Sequence, residues 1–196
     1  MDKTNYFKKE INYIKDKDLK KDLKTLINLL PDYFFEVPAS STGKYHPKFA
    51  LGEGGLVRHT KVAVRLAHEL LNNNTIGCKF TEHDKDLILM AITLHDGLKS
   101  GLEHDKYTKF DHPLLVSKYI MENKDKLSMD IDDLRKMCSM IESHMGEWTY
   151  DSYKKKEVLP KPRTAEQRFV HMCDFLASRK FLDVKFKDNN IKDWHI

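Results

Sequence analysis

Apolar residues recur every three or four positions through most of this chain, and no run of alternating apolar and polar residues is sustained enough for a strand. The pattern predicts an all-α protein, a helical bundle. Phe7, Ile11 and Ile14 mark a first helix over residues 4–15, and Leu19, Leu23, Leu26, Ile27 and Leu30 a second over residues 18–30, stopped by Pro31. Together they read as an N-terminal hairpin, residues 1–37, packed on a main domain of residues 38–182, with residues 183–196 as a C-terminal tail.

A long loop opens the main domain: Pro38, Ser40, Ser41, Gly43, Pro47, Gly52, Gly54 and Gly55 punctuate residues 38–55. The next helix runs over residues 56–72 on Leu56, Ala63, Leu66, Ala67 and Leu70, and ends at the Asn72-Asn73-Asn74 turn. Thr81 suits the cap of another, whose stretch from Leu87 to Leu94 is apolar on every side and therefore belongs at the centre of the bundle. Pro113 fits the first turn of a helix reaching Met121, with Asp111 or His112 at its start. Ser128 or Asp130 starts a helix carrying Ile131, Leu134, Met137, Cys138 and Ile141, and Gly146 is a C-terminal stop. After a loop of Lys, Tyr and Pro over residues 147–163, Thr164 and Gln167 have capping-box spacing ahead of Phe169, Met172, Cys173 and Leu176.

Composition narrows the picture. With 196 residues, 40% hydrophobic and 33% charged, the chain can bury the core of one domain and is not a disordered polyelectrolyte. The net charge of +4 comes from twenty-eight Lys and six Arg scattered among acidic residues, which permits a polyanionic partner without demanding one. Three cysteines with no CxxC spacing, an N-terminus of alternating charge and no apolar run of membrane-spanning length predict a cytoplasmic protein with no membrane partner.

The chemistry is carried by ten histidines. His-Asp occurs at His83-Asp84, His95-Asp96 and His104-Asp105, but only the middle pair terminates the most apolar helix. A carboxylate buried there costs several kcal/mol unless a cation or a set of donors compensates. Either Asp96 caps the next turn and His95 is satisfied by a backbone carbonyl, or both hold a metal. His59, His112, His144 and Asp174 also fall near helix ends or on core-facing stripes. Any one of them alone reads as an ordinary buried polar residue; together they can converge at the bundle centre.

The segments Gly54-Gly55-Leu56-Val57-Arg58-His59-Thr60, His95-Asp96-Gly97-Leu98-Lys99, Asp111-His112-Pro113, Ser143-His144-Met145-Gly146-Glu147 and His171-Met172-Cys173-Asp174 resemble the ordered motifs of the HD-domain metal-dependent phosphohydrolase superfamily. With Pro38-Ala39-Ser40 and His46 upstream, they are most similar to the HD domain of bacterial three-prime-to-five-prime exoribonucleases. The likeness covers residues 38–180. It implies a bundle with a dinuclear centre and two divalent transition-metal ions (Mn, Fe, Co, Ni or Zn). One ion would be held by His59, His95, Asp96 and Asp174, the other by Asp96, His112 and His144. Asp96 and Lys99 would be the catalytic residues, and Lys99, His46, Trp148 and Arg163 would contact substrate, with Lys155 and Lys161 as further cations. The implied reaction is hydrolysis of a phosphomonoester or phosphodiester in a nucleotide, cyclic nucleotide or nucleic-acid end. Alternatives are a di-iron oxygenase on the same scaffold and a non-catalytic, metal-containing nucleotide-binding module. The chain departs from the exoribonuclease pattern in having no room for an N-terminal nucleic-acid-binding domain, Met145 in place of a second His, and Arg58 in place of a Glu. His171 reads as a partner to the ligands rather than one of them, and His68, His83, His104 and His195 as surface residues.

Overall fold

The computed structural model describes residues 2–192, so His195 lies outside the described residues. The fold is all-α, with α1 (Lys8–Ile11), α2 (Lys17–Leu29), α3 (Gly55–Asn72), α4 (Asn74–Gly77), α5 (Glu82–Leu94), α6 (His112–Glu122), α7 (Ile131–Glu142) and α8 (Ala165–Ala177). Two hairpins of two-residue strands accompany them, β1 (Tyr150–Asp151) with β2 (Lys156–Glu157) and β3 (Phe186–Lys187) with β4 (Asn190–Ile191).

Helix α5 lies at the centre, against α2, α3, α7 and α8. Every residue from Asp86 to Leu94 is buried, as an all-round apolar helix requires. Each of its large apolar side chains contributes about 1.5–3 kcal/mol by leaving water. Thr81 caps it through a capping box with Asp84, and Thr164 and Gln167 do the same for α8. Asp130, rather than Ser128, caps α7.

The first helix differs from the expected 4–15 span. A 3-10 turn over Lys3–Phe7 is followed by a single α-turn ending at Ile11. Beyond it, the backbone amides of Lys15 and Asp16 donate to the buried carboxylate of Asp86 in α5, at 3.0 and 2.8 Å. That carboxylate draws the chain off the helical path, and Asp16 restarts it by accepting from the amides of Asp18 and Leu19. Buried Asp22 works similarly at the other end of the bundle, accepting from the amides of Ser128 and Met129 ahead of α7.

Residues flanking the main helices are tied to α3. The ammonium of Lys61, buried, pairs with Glu10 at 3.2 Å and donates to Asn190 Oδ1 at 3.0 Å. Removing either ion alone would strand the other away from water. One turn earlier, Arg58 donates to the carbonyls of Phe49 and Leu51 and to Asn189 Oδ1. The β3–β4 hairpin thereby fastens the glycine-rich loop ahead of α3.

Candidate metal centre

His95 is the C-cap of α5, placed there because the apolar run ends at Leu94. Its Nδ1 lies 2.7 Å from the carbonyl of Ile92. A carbonyl only accepts, so Nδ1 carries the proton and, in the neutral ring, Nε2 keeps a lone pair. His112 and His144 repeat the arrangement, donating Nδ1–H to the carbonyls of Lys109 and Ile141 at 2.7 and 2.8 Å. In each case the carbonyl belongs to the residue three positions earlier, and the helix or turn end aims Nε2 inward.

These nitrogens converge on carboxylates. His112 Nε2 is 3.0 Å and His144 Nε2 3.8 Å from Asp96 Oδ1, and the two nitrogens are 3.3 Å apart. His95 Nε2 lies 3.5 Å from Asp96 Oδ2 and 3.4 Å from Asp174 Oδ1, without a hydrogen-bond partner. His59, in the first turns of α3, sets Nε2 2.9 Å from Asp174 Oδ1, while its Nδ1 is buried and unpartnered. All but Asp174 are buried; its side chain is 20% exposed, so water reaches the cluster from that side.

Burial opposes the charge on Asp96, but Lys99, His95 and the His112 hydrogen bond hold its carboxyl well below the ordinary range. Burial likewise opposes charge on Asp174, and His95 and His59 outweigh it. The two carboxylates in turn overcome the burial of His95 and push it up to about 9. His144 is pulled down to about 3 by burial and by the positive fields of His95 and His112. The centre is a negative well lined by lone pairs, one that draws a proton onto His95 in the absence of a stronger cation. Two sets of donor atoms, His59, His95 and Asp174, and His95, Asp96 and His144, each lie within 4.8 Å of one another. Mixed imidazole and carboxylate donors suit Mn, Fe, Co, Ni or Zn better than the all-oxygen shells of Mg or Ca. The orphaned Nε2 of His95 and the facing nitrogens of His112 and His144 fit such an ion.

Residues 56–178 match the family described as HD domain, more than half of the chain. This chain belongs to the HD-domain family. HD-domain proteins are in general metal-dependent hydrolases of phosphate esters. Neither a search of curated proteins nor one of solved structures returned a match, so nothing further aligns this HD domain with the exoribonuclease branch. All six converging residues lie inside the matched span, which begins at Leu56 and ends at Ser178.

The other candidates distribute unevenly around the HD-domain centre. Lys99 is 13% exposed, and its ammonium pairs with Asp96 Oδ2. His46 is brought to the cluster by the glycine-rich loop, its ring edge-on to His59 at 4.8 Å; burial and then His59 and Lys99 lower it to about 3. His171 donates Nδ1–H to the carbonyl of His144 at 2.7 Å, supporting a ligand-candidate's backbone as expected. Gly146 makes room for that ring: its φ is +67°, and a Cβ there would lie 2.1 Å from His171 Cε1. Trp148, 46% exposed, stacks on Phe175 with centroids 5.9 Å apart. Arg163, Lys155 and Lys161 are exposed, and no hydrogen bond or ion pair joins their cations to the cluster. Buried Cys173 is no thiolate donor, because burial pushes its thiol up.

Among the remaining histidines, His83 is exposed and pairs with Asp133 at 2.7 Å, and His104 is exposed with its ring on Tyr33. His68 departs from the surface reading: it is half-buried, stacked on Tyr13 at 3.7 Å, because α1 and the turn after it cover that part of α3. Sequence reasoning missed Tyr33. Its buried hydroxyl donates to the carbonyl of Gly101 at 2.6 Å and accepts from the amide of Ser100 at 3.1 Å, gripping the turn that carries Lys99. No local pattern announces a contact so distant along the chain.

Proposed function

We propose that this protein hydrolyses a phosphomonoester or phosphodiester in a nucleotide, cyclic nucleotide or nucleic-acid end, using two divalent transition-metal ions. His59, His95, Asp96 and Asp174 would hold one ion, and Asp96, His112 and His144 the other, with Asp96 shared. The observation that carries this reading is the convergence of the Nε2 atoms of His112 and His144, 3.3 Å apart, on Asp96 Oδ1. With both Nδ1 atoms protonated, two Nε2 atoms so close need a cation, a proton or a metal ion, between them or on the Asp96 side, and a divalent ion is the one that all three groups can share. Divalent ions at such a centre supply Lewis acidity towards phosphoryl oxygens and make a nearby water more acidic.

The chain's own groups supply the rest. Lys99, at the edge of the cluster, can exchange its contact with Asp96 for a phosphoryl oxygen and offset charge as it develops there. The neutral ring of His46 has a buried, unpartnered Nδ1 beside His59, a polar group for substrate that enters the cluster. Trp148 offers an aromatic face to a base, and Arg163, Lys155 and Lys161 offer charge to a leaving group. Unpaired Cys78, Cys138 and Cys173, and the absence among the described residues of any helix long and apolar enough to cross a membrane, fit a cytoplasmic setting without membrane contact.

The test is a hydrolysis panel of nucleoside monophosphates, triphosphates, cyclic mono- and dinucleotides, short RNA and short DNA, run with Mn in air and under argon. Release of phosphate or nucleotide at equal rates in both atmospheres is expected. Turnover only in air would replace the hydrolase with an oxygenase, and no turnover from metal-loaded protein would leave a binding module.

A further inference from the structure

The turn after Asp96 decides where Lys99 points, and much of what holds that turn comes from outside the residues matched to the HD-domain family. Tyr33 belongs to a 3-10 turn over Asp32–Phe35, well ahead of the matched span. Its hydroxyl makes two bonds to consecutive residues immediately after Lys99, donating to Gly101 O at 2.6 Å and accepting from Ser100 N at 3.1 Å. Gly101 has φ +91°, a backbone state open to glycine that aims its carbonyl at the Tyr33 hydroxyl. The phenol is itself confined: it is 7% exposed, and the ring of His104 stacks on it at 4.7 Å and 13°. Burial and the charge of Asp96 raise its pKa to about 12, so it keeps the proton it donates. The turn's own backbone bonds run from Lys99 N to Asp96 O at 3.0 Å, Gly101 N to Leu98 O at 2.9 Å, Lys109 N to Lys99 O at 2.8 Å and Asp105 N to Ser100 O at 2.9 Å; the Ser100 amide and the Gly101 carbonyl are left to Tyr33.

We propose that Tyr33 is a positioning residue for Lys99, its hydroxyl fixing the Lys99–Gly101 turn so that the ammonium stays over the Asp96 carboxylate instead of ranging into solvent. The geometric half of this stands by itself; its kinetic consequence rests on the phosphohydrolase reading, in which Lys99 meets the phosphoryl group. A lysine side chain has several free rotations, and a fixed backbone beneath it sets the Cα–Cβ direction from which they start before substrate arrives.

The experiment compares the full chain with Tyr33→Phe, Lys99→Met and the double variant, using bis(p-nitrophenyl) phosphate with Mn as probe and hydrogen exchange across residues 97–103 as a second readout. Tyr33→Phe keeps the ring and its packing. It is expected to lower kcat/KM about tenfold, mostly in kcat, as loss of one positioning hydroxyl should. In the Lys99→Met background the same change should cost less than about twofold, because its effect runs through a side chain no longer present. Exchange at Ser100 and Gly101 should quicken in Tyr33→Phe while the rest of the bundle is unaltered. If Lys99→Met abolishes turnover but Tyr33→Phe is as active as the parent, the positioning role is overturned and the function survives. Equal losses from Tyr33→Phe in both backgrounds also overturn it, since the hydroxyl would then act elsewhere. If the parent does not hydrolyse the probe, the exchange data decide alone: unchanged exchange at Ser100 ends the proposal, and faster exchange upholds the turn's dependence on Tyr33.

Discussion

On one side of Asp96, His112 and His144 are buried, donate Nδ1–H to carbonyls three residues back, and set their Nε2 atoms 3.3 Å apart. On the other, His59 has an unpartnered Nδ1, Asp174 is partly open to water, and His46 reaches in on a glycine-rich loop. The first half is fixed by helix and turn ends that also tie down its backbone, through His171 on the carbonyl of His144. The second half borrows its order from loops and flanking segments, through Arg58 and Asn189. Such an asymmetry suits a centre in which one ion sits in a dry, preorganised cage and exchange with solvent and substrate is confined to the opposite face.

The sharpest way to break this contrast is to remove the residue both halves share. Asp96→Asn keeps the shape and deletes the charge, and should lower metal content to under about one ion per chain and hydrolysis by at least about a hundredfold. Elemental analysis of the purified variant checks it; a full metal complement would dissolve the distinction between the halves.

Acidity probes both halves in metal-free protein. His95 holds its proton up to about 9, whereas His46 and His144 stay neutral down to about 3, and in the unfolded chain each titrates near 6.5. The raised His95 contributes stability that is fully present below 6.5 and lost as pH climbs through 9, a few kcal/mol in all. Below 6.5 the unfolded chain takes up two protons that His46 and His144 refuse, so stability falls there too. Asp96 and Asp174, held well below their ordinary values, keep their contribution above pH 4. Thermal unfolding with chelator across pH 5–9 should therefore peak near 6.5. Saturating Mn should lift the whole curve and flatten its alkaline limb, because only the folded state binds the ions tightly.

A narrower cut separates the halves directly. Gly146→Ala forces a Cβ into the His171 ring at a positive φ, which should destabilise the fold by about 1–3 kcal/mol and loosen the His144 side while His59 is untouched. Urea unfolding measures the first effect, and occupancy of the weaker ion by titration calorimetry the second. The smallest change is expected on the outer rim: Trp148→Ala should leave stability within about 1 kcal/mol, since its stack on Phe175 is half-exposed, and raise KM for base-containing substrates about fivefold with kcat unchanged.

Local signals carried far in this chain. The capping boxes at Thr81 and Thr164, the all-round apolar face of α5 and the helix-end placement of His95, His112 and His144 are short-range features, and the fold reproduces them. Of the alternatives weighed for His95, the carbonyl contact is present at Nδ1, and it leaves Nε2 facing the carboxylates, as the metal alternative would also require. What escaped the pattern depends on partners remote in the chain. Asp86 breaks the first helix by binding Lys15 and Asp16, Tyr33 grips the turn after Lys99, and Tyr13 covers His68. Arg163 is exposed in the loop ahead of α8, where its position along the chain put it, and its guanidinium makes no polar contact with the six residues.

The fastening of α3 reaches beyond the matched family span. Arg58, Lys61, Glu10, Asn189 and Asn190 join both ends of the described chain to the helix bearing His59, yet only Arg58 and Lys61 of these fall within the HD-domain span. The interior that gathers the six residues thus takes part of its anchoring from chain outside the span that defines the family, so that span cut out alone would leave Arg58 and Lys61 without Asn189, Asn190 and Glu10.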